Sequence, residues 1–199
     1  MSQDSIFRGI FLLVLLSSIV ISGYHRRRAR RSGEVIPRRA EGGLVLLIRM
    51  GMALLVAASF LAFPFAPSWL AWSTLPLPAW LRWVAGALAV ACLPAQWWMF
   101  VSIGENISET LLTKANHRLV THGPYRRIRH PLYALALLEL LSLATMAGSW
   151  YLLVLACTGI VVFRAVVIPR EEANLIRAFG KQYEEYRLHT GALFPRFRS

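Results

Sequence analysis

The sequence predicts an all-α membrane protein of about five transmembrane helices, N-terminus outside and C-terminus inside, with a C-terminal helix at the cytoplasmic face. Three observations predict it. Of the 199 residues 56% are hydrophobic, and the mean hydropathy is +0.50, more apolar surface than one soluble core of this size can hide. Apolar runs close to the ~20 residues that cross a hydrocarbon layer recur along the chain. The formal charge of +12 comes mostly from arginine and sits in blocks between those runs. That arrangement marks topology and attraction to anionic headgroups, and argues against nucleic acid as the partner.

Ile6–Gly23 is the first run. It lacks a basic n-region and a small-residue cleavage site, so it reads as a retained helix, not a signal peptide. Arg26–Arg31, Arg38 and Arg39 then read as a cationic loop. Leu44–Phe65 is the second run, with Arg49 near enough to its start to snorkel to the headgroups. Pro64–Pro78 is uncharged and holds several Pro and Trp, as an interfacial turn does. The third run, Trp80–Ile103, has Pro94 mid-way and predicts a kink there. After the polar segment Gly104–His130, the runs Leu132–Ala147 and Trp150–Ile168 are separated only by Gly148-Ser149, which demands a helical hairpin. The tail, Pro169–Ser199, is polar and partly amphipathic.

Basic loops follow runs one and three, and the basic tail follows run five. The loops after runs two and four carry no basic residue. The positive-inside rule therefore orients every loop without conflict and puts segment 104–130 and the tail on one cytoplasmic side. Cys92 and Cys157 both fall within apolar runs, with neither metal spacing nor a disulfide framework.

Two polar islands could carry chemistry. His117–Tyr133 packs three His, four Arg, two Tyr and two Pro at the mouth of run four. Pro131 suits a first helical turn because its missing N–H would be unpaired there anyway. That makes His130 the cap, with Tyr133 one turn further on the same side. The plain alternative is an anchor belt at a helix entrance. At the exit of run five, Pro169-Arg170-Glu171-Glu172 puts two carboxylates where a helix dipole favours them, which ordinary capping also explains. Leu175, Ile176, Phe179, Tyr183 and Tyr186 then make one apolar-aromatic face suited to the membrane surface. Glu139, mid-way along run four, must pair or be protonated. Gln96, Arg164 or a hydroxyl could satisfy it, and it serves either as polar glue or as a cavity residue. Arg164 on its own reads as a snorkelling residue. The histidines share no spacing with a carboxylate or Cys, so no metal site is expected.

Together these islands resemble the isoprenylcysteine carboxyl methyltransferase-like group of integral-membrane methyltransferases, related to phospholipid methyltransferases. The pattern H-x-L-V-T-x-G-x-Y-x-x-x-R-H-P-x-Y stands here from His117 through Leu119, Val120, Thr121, Gly123 and Tyr125 to Arg129, His130, Pro131 and Tyr133. After a hairpin come Glu171, Glu172, Leu175, Phe179, Gly180, Tyr183, Tyr186 and Pro195. The likeness covers about half the chain. It implies S-adenosylmethionine as methyl donor, with His117, Arg118, Leu119, Val120, Tyr125, His130, Pro131, Leu132, Tyr133, Glu171 and Glu172 as the cofactor contacts. It divides the chain into transmembrane helices 1–3 (1–103) and a catalytic half (104–199) of cofactor loop, hairpin and C-terminal amphipathic helix. It also implies a lipophilic or amphipathic acceptor, and an active site facing the cytoplasm from a bacterial inner membrane.

The departures concern the acceptor. Ile103-Gly104-Glu105-Asn106 has Glu where Arg is common in the family, and an acceptor-contacting Arg of prenylcysteine enzymes is replaced by Val167. A carboxylate acceptor wants a cationic clamp, so the acceptor atom stays open between oxygen, nitrogen and sulfur. Arg164 and Arg170, which flank Val167, together with Glu105 and Asn106, are the catalytic candidates. Two other classes compete: a membrane reductase of the sterol type, which has a related R-H-P-x-Y arrangement and uses NADPH, and a non-enzymatic protein whose basic loops bind lipid or a partner.

Overall fold

The computed structural model describes residues 2–32, 43–106 and 119–196. Among them it is all-helical: α1 (Gln3–Ser32), α2 (Gly43–Phe65), a 3-10 turn at Pro67–Ser73, α3 (Ala79–Ile103), α4 (Pro131–Ala147), α5 (Trp150–Val162), a π turn at Phe163–Val167, α6 (Ile168–Phe179) and α7 (Lys181–His189). A helix accompanies every expected apolar run. By length and composition three can cross a membrane: α1, α3 and the continuous helix from Trp150 to Phe179. The pair Met50–Phe65 and Pro67–Ser73, bent by 104°, makes at most a fourth. At 17 residues, α4 spans about 25 Å, at the short limit for the hydrocarbon layer.

Three expectations need correction. The Arg26–Arg31 run is not a loop but the last turns of α1. Arginine is a good helix former, and His25 and Ala29, one turn apart, are buried and give this extension a packed face. Pro169 lies in the first turn of α6, but α6 is not a separate helix, because helix continues from Trp150 to Phe179. A proline inside a helix lacks an N–H and crowds the carbonyl four residues back. The turn before it is widened to π form, with the Ile168 N–H donating to the Phe163 carbonyl, and such widened turns often mark functional sites. The third correction concerns the tail, which breaks at Gly180 into α6 and α7. Tyr183 is buried and the Tyr186 hydroxyl donates to the Tyr125 carbonyl at 2.5 Å. Both tyrosines therefore turn inward, off the membrane-surface face that spacing alone suggests. Arg38 and Arg39 lie outside the described residues, and α3 runs unbroken through Pro94.

The bundle centres on α3, flanked by α1 and α4. Lipid tails are as apolar as leucine, so helices in a membrane associate by close packing and internal hydrogen bonds. Buried Ala85 and Ala89 on α3 meet Leu143, Ala144 and Met146 on α4, with Phe7 and Phe11 of α1 and Phe60 and Phe63 of α2 completing the cluster. One end is closed by loops. The α4–α5 hairpin turns at Gly148, whose φ of +67° a side chain would strain, and Ser149 caps α5 by accepting from the Leu152 N–H at 3.3 Å. The Leu75 N–H donates to the Gly148 carbonyl at 2.7 Å. Arg82 lies 4.3 Å over the Phe7 ring, pairs with Asp4 at 2.9 Å and donates to the Met146 carbonyl at 2.8 Å.

Glu139 is buried at the α1–α3–α4 junction, with the Ser18 hydroxyl 2.9 and 3.0 Å from its two oxygens. The Gln96 amide donates to the second oxygen. Two of the three partners anticipated from sequence, an amide and a hydroxyl, are therefore its partners, and Arg164 is not. Three polar groups on three helices form a closed set in an apolar bundle. Removing one member orphans the others, whereas apolar replacement of all three is close to neutral. Gln96→Leu is expected to cost about 1–3 kcal/mol. The triple variant Ser18→Ala, Gln96→Leu, Glu139→Leu should unfold within about 1 kcal/mol of the parent, which thermal unfolding in detergent would check.

Candidate functional site

The site forms at the opposite end of the bundle, where the loop preceding α4 meets the C-terminal segment. Leu119 to His130 crosses from the end of α3 to the start of α4 through a short turn at Gly123–Arg126. Gly123 has φ +60°, and a Cβ there would fall 2.5 Å from the Ser102 hydroxyl, so the turn packs on α3 only with glycine. The loop is then zipped to the tail by backbone bonds. The Arg129 N–H donates to the Gly191 carbonyl at 2.8 Å, the His130 N–H to Ala192 at 3.0 Å, and the Gly191 N–H to Arg127 at 3.2 Å.

Side chains lock the same junction. The Arg129 Nε donates to Glu172 Oε1 at 2.8 Å, and its Nη1 donates to the carbonyls of Arg187, at 3.3 Å, and of Thr190. Arg187 adds its Nε at 3.3 Å from Glu172 Oε2. Glu172 thus meets two guanidinium groups and, through Oε1 at 3.3 Å, the Nε2 of His130. The other ring nitrogen of His130 lies 3.5 Å from Glu171 Oε2, close enough for charge attraction but long for a hydrogen bond. The imidazole stacks on Tyr133 at 5.7 Å with 12° between planes, and Tyr133 rests on Phe163 at 4.6 Å, which ties the π turn to the site.

Burial alone would lower the affinity of His130 for a proton, but the carboxylates of Glu171 and Glu172 outweigh it and hold the imidazolium above its ordinary 6.5. A raised pKa in the folded chain stabilises it fully below 6.5 and less as pH climbs through the raised value. The melting temperature should therefore fall as pH rises above about 6.5, and His130→Asn should flatten that slope. A parent protein whose melting temperature is level across this range would contradict the pairing.

Two polar atoms here have no hydrogen-bond partner although both are buried: Glu171 Oε2 and the Tyr183 hydroxyl. A buried orphan costs about 1–3 kcal/mol, so a pair at one junction marks a place built to receive polar groups from elsewhere. Beside it lies an apolar wall of Met99, Phe100, Tyr125 and Ala29 with Val120 and Leu132 packed against it, and the Tyr125 hydroxyl donates to the Met99 sulfur at 3.4 Å.

The structure thus gathers Val120, Tyr125, His130, Pro131, Leu132, Tyr133, Glu171 and Glu172 at one end, with Leu119 half-buried beside them. His117, Arg118 and the side chain of Glu105 lie outside what is described; Asn106 is half-buried on the short turn that ends α3. Arg164 and Arg170 are exposed, and neither pairs with a carboxylate among the described residues. Arg129, Arg187, Thr190 and Tyr183 were not anticipated as site members. Arg129 was within reach of the sequence, standing in the quoted pattern beside His130. Arg187 follows Glu172 by fifteen positions, a spacing no helical period brings together.

Residues 81–182, just over half the chain, match the family model described as phospholipid methyltransferase. The chain belongs to the phospholipid methyltransferase family. Among this family member's curated relatives is the protein-S-isoprenylcysteine O-methyltransferase of Schizosaccharomyces pombe, 34% identical over 89 residues, or 44% of this chain and 38% of the relative. The cobalt-zinc-cadmium resistance protein CzcN of Cupriavidus metallidurans is 37% identical over 83 residues, covering 42% and 38%. The chain thus spans well under half the length of these relatives. A solved structure of the eukaryotic intramembrane Ras methyltransferase ICMT shares the fold with a TM-score of 0.57 at 21% identity, over 73% of this chain and 52% of that one.

Proposed function

We propose that this phospholipid methyltransferase family member is an integral-membrane methyltransferase that uses S-adenosylmethionine and acts on a lipophilic or amphipathic acceptor. The observation that carries the reading is Glu171, whose buried Oε2 accepts no hydrogen bond and has only the long 3.5 Å ion pair with His130, while its neighbour Glu172 is fully engaged. The residues suit the cofactor. An unpartnered carboxylate oxygen fits an α-amino cation or a ribose hydroxyl, the Tyr183 hydroxyl offers a second polar contact, and Val120, Tyr125 and Leu132 offer an apolar slot for a flat base.

When bound, S-adenosylmethionine supplies a methyl group already activated by a sulfonium. The chain's work is then positioning, which can contribute several kcal/mol by holding reactants in line. His130 orients Glu171 by charge and is itself held by Glu172 and stacked on Tyr133. The apolar wall excludes water, and a lipid-tailed acceptor reaches the same end between helices. In this reading residues 104–199 are the catalytic half, with His117 and Arg118 as further donor residues and Glu105, Asn106, Arg164 and Arg170 as the catalytic candidates. The basic end of α1 favours anionic lipid, and by the positive-inside rule the site faces the cytoplasm of a bacterial inner membrane.

Calorimetry with S-adenosylhomocysteine on the detergent-purified protein tests this directly. Binding that His130→Ala abolishes is expected. Folded protein with no measurable affinity would overturn the reading.

A further inference from the structure

The last turns of α1 lie outside the stretch that matches the family, and they carry a group the donor site leaves unused. His25 is 6% exposed, and its Nε2 is buried with no hydrogen-bond partner. The ring is held on two sides: it lies parallel to Phe100 at 5.3 Å and 8°, and edge-on to Trp97 at 4.7 Å. Tyr24 stacks on the same Trp97 at 5.8 Å. One turn on, Ala29 joins Met99, Phe100 and Tyr125 in the wall against which Val120 and Leu132 pack. His25 therefore packs on a member of the cluster that holds Tyr125, at the edge of the proposed donor slot. An aromatic clamp around an unpaired imidazole nitrogen, open to lipid at half-exposed Tyr24 and Trp97, suits the head of a lipid-tailed molecule bearing a hydrogen-bond donor.

We propose that His25 contacts the methyl acceptor, and that the acceptor atom carries a proton, as in a thiol or phenol, and is not a carboxylate. The inference rests on the methyltransferase reading above. Methylating an X–H group leaves one proton over: the X–C bond forms as the C–S⁺ bond breaks, the sulfonium departs as a neutral thioether, and the X–H proton is released. Imidazole Nε2 accepts a hydrogen bond from X–H and takes that proton, passing it on to water. The carboxylates at the site are poor candidates for the task, because Glu172 is tied to two arginines and Glu171 faces the donor. A carboxylate acceptor would release no proton for Nε2 to take.

The test uses dodecanethiol, 4-dodecylphenol and dodecanoate with the full-length protein in detergent. Binding to donor-free protein is measured first, then methyl transfer from labelled S-adenosylmethionine. The thiol or the phenol should bind and be methylated, and dodecanoate should not. His25→Phe, which keeps the aromatic stack, should weaken that binding at least about tenfold through the lost hydrogen bond, with S-adenosylhomocysteine affinity unchanged. His25→Gln, which can hydrogen-bond but cannot take a proton, should keep KM within about threefold and lower kcat about 100-fold. Preferred methylation of dodecanoate, no binding of either X–H probe, or unchanged binding and kcat in both variants would overturn the assignment. Loss of S-adenosylhomocysteine binding in the parent protein would instead count against the methyltransferase reading itself.

Discussion

Replacing Arg129 by alanine is expected to lower the stability of the protein by about 3–5 kcal/mol, the usual cost of removing one partner from a buried ion pair. Both side chains are nearly buried, at 11% for Arg129 and 10% for Glu172. The loss leaves Glu172 to His130 and the more exposed Arg187, and strips a donor from the Thr190 and Arg187 carbonyls. For a chain of this length each kcal/mol moves the melting temperature by about 2–4 °C, so thermal unfolding in detergent should fall by about 6–20 °C. Arg129→Lys should recover only part of this, since an ammonium cannot serve the carboxylate and the two carbonyls as a guanidinium fork does. Truncating both partners should cost less than the two single changes summed. A fall of under about 2 °C for Arg129→Ala would show that the clamp does not hold the tail to the loop.

Glu171→Gln should have the opposite profile. Its Oε2 has no hydrogen-bond partner and its ion pair with His130 is long, 3.5 Å, so at a pH where His130 is neutral the amide should leave the melting temperature within about 2 °C. The affinity for S-adenosylhomocysteine should drop about 10- to 100-fold, or roughly 1.4–2.8 kcal/mol, because a charged acceptor for the amino cation becomes a neutral one. Glu172→Gln, one residue along, should instead lower the melting temperature. Two adjacent glutamates thus separate binding from folding, and unchanged affinity in Glu171→Gln would remove Glu171 from the donor site.

How far the sequence could carry this depended on the range of the interactions involved. The helices were legible because apolar runs are local and continuous. The Gly148-Ser149 hairpin was legible because two residues allow no other connection. His130 at the cap of α4 with Tyr133 one turn on the same side followed from helical spacing, and the need of Glu139 for a partner followed from its place mid-way along an apolar run, with Gln96, Arg164 and a hydroxyl all open. The ends of α1 and the course of the tail were not legible. Arg26–Arg31 reads as a cationic loop when only its charge is counted. It becomes helix because His25 and Ala29 find Phe100 and Met99 on α3, more than 65 positions away. Tyr183 and Tyr186 sit on an apolar stripe in sequence, but the break at Gly180 turns them onto the loop before α4.

By itself, then, the sequence determined an all-α membrane protein, its apolar runs, and the residue types that recur in one family of methyltransferases. Those properties depend on neighbours within a few turns. Only the tertiary structure decided which of two neighbouring glutamates is hydrogen-bonded into the arginine clamp. Arg129, His130 and Arg187 converge on Glu172 from two segments that no helical period relates, and their geometry leaves one oxygen of Glu171 buried without a hydrogen bond at the mouth of α4.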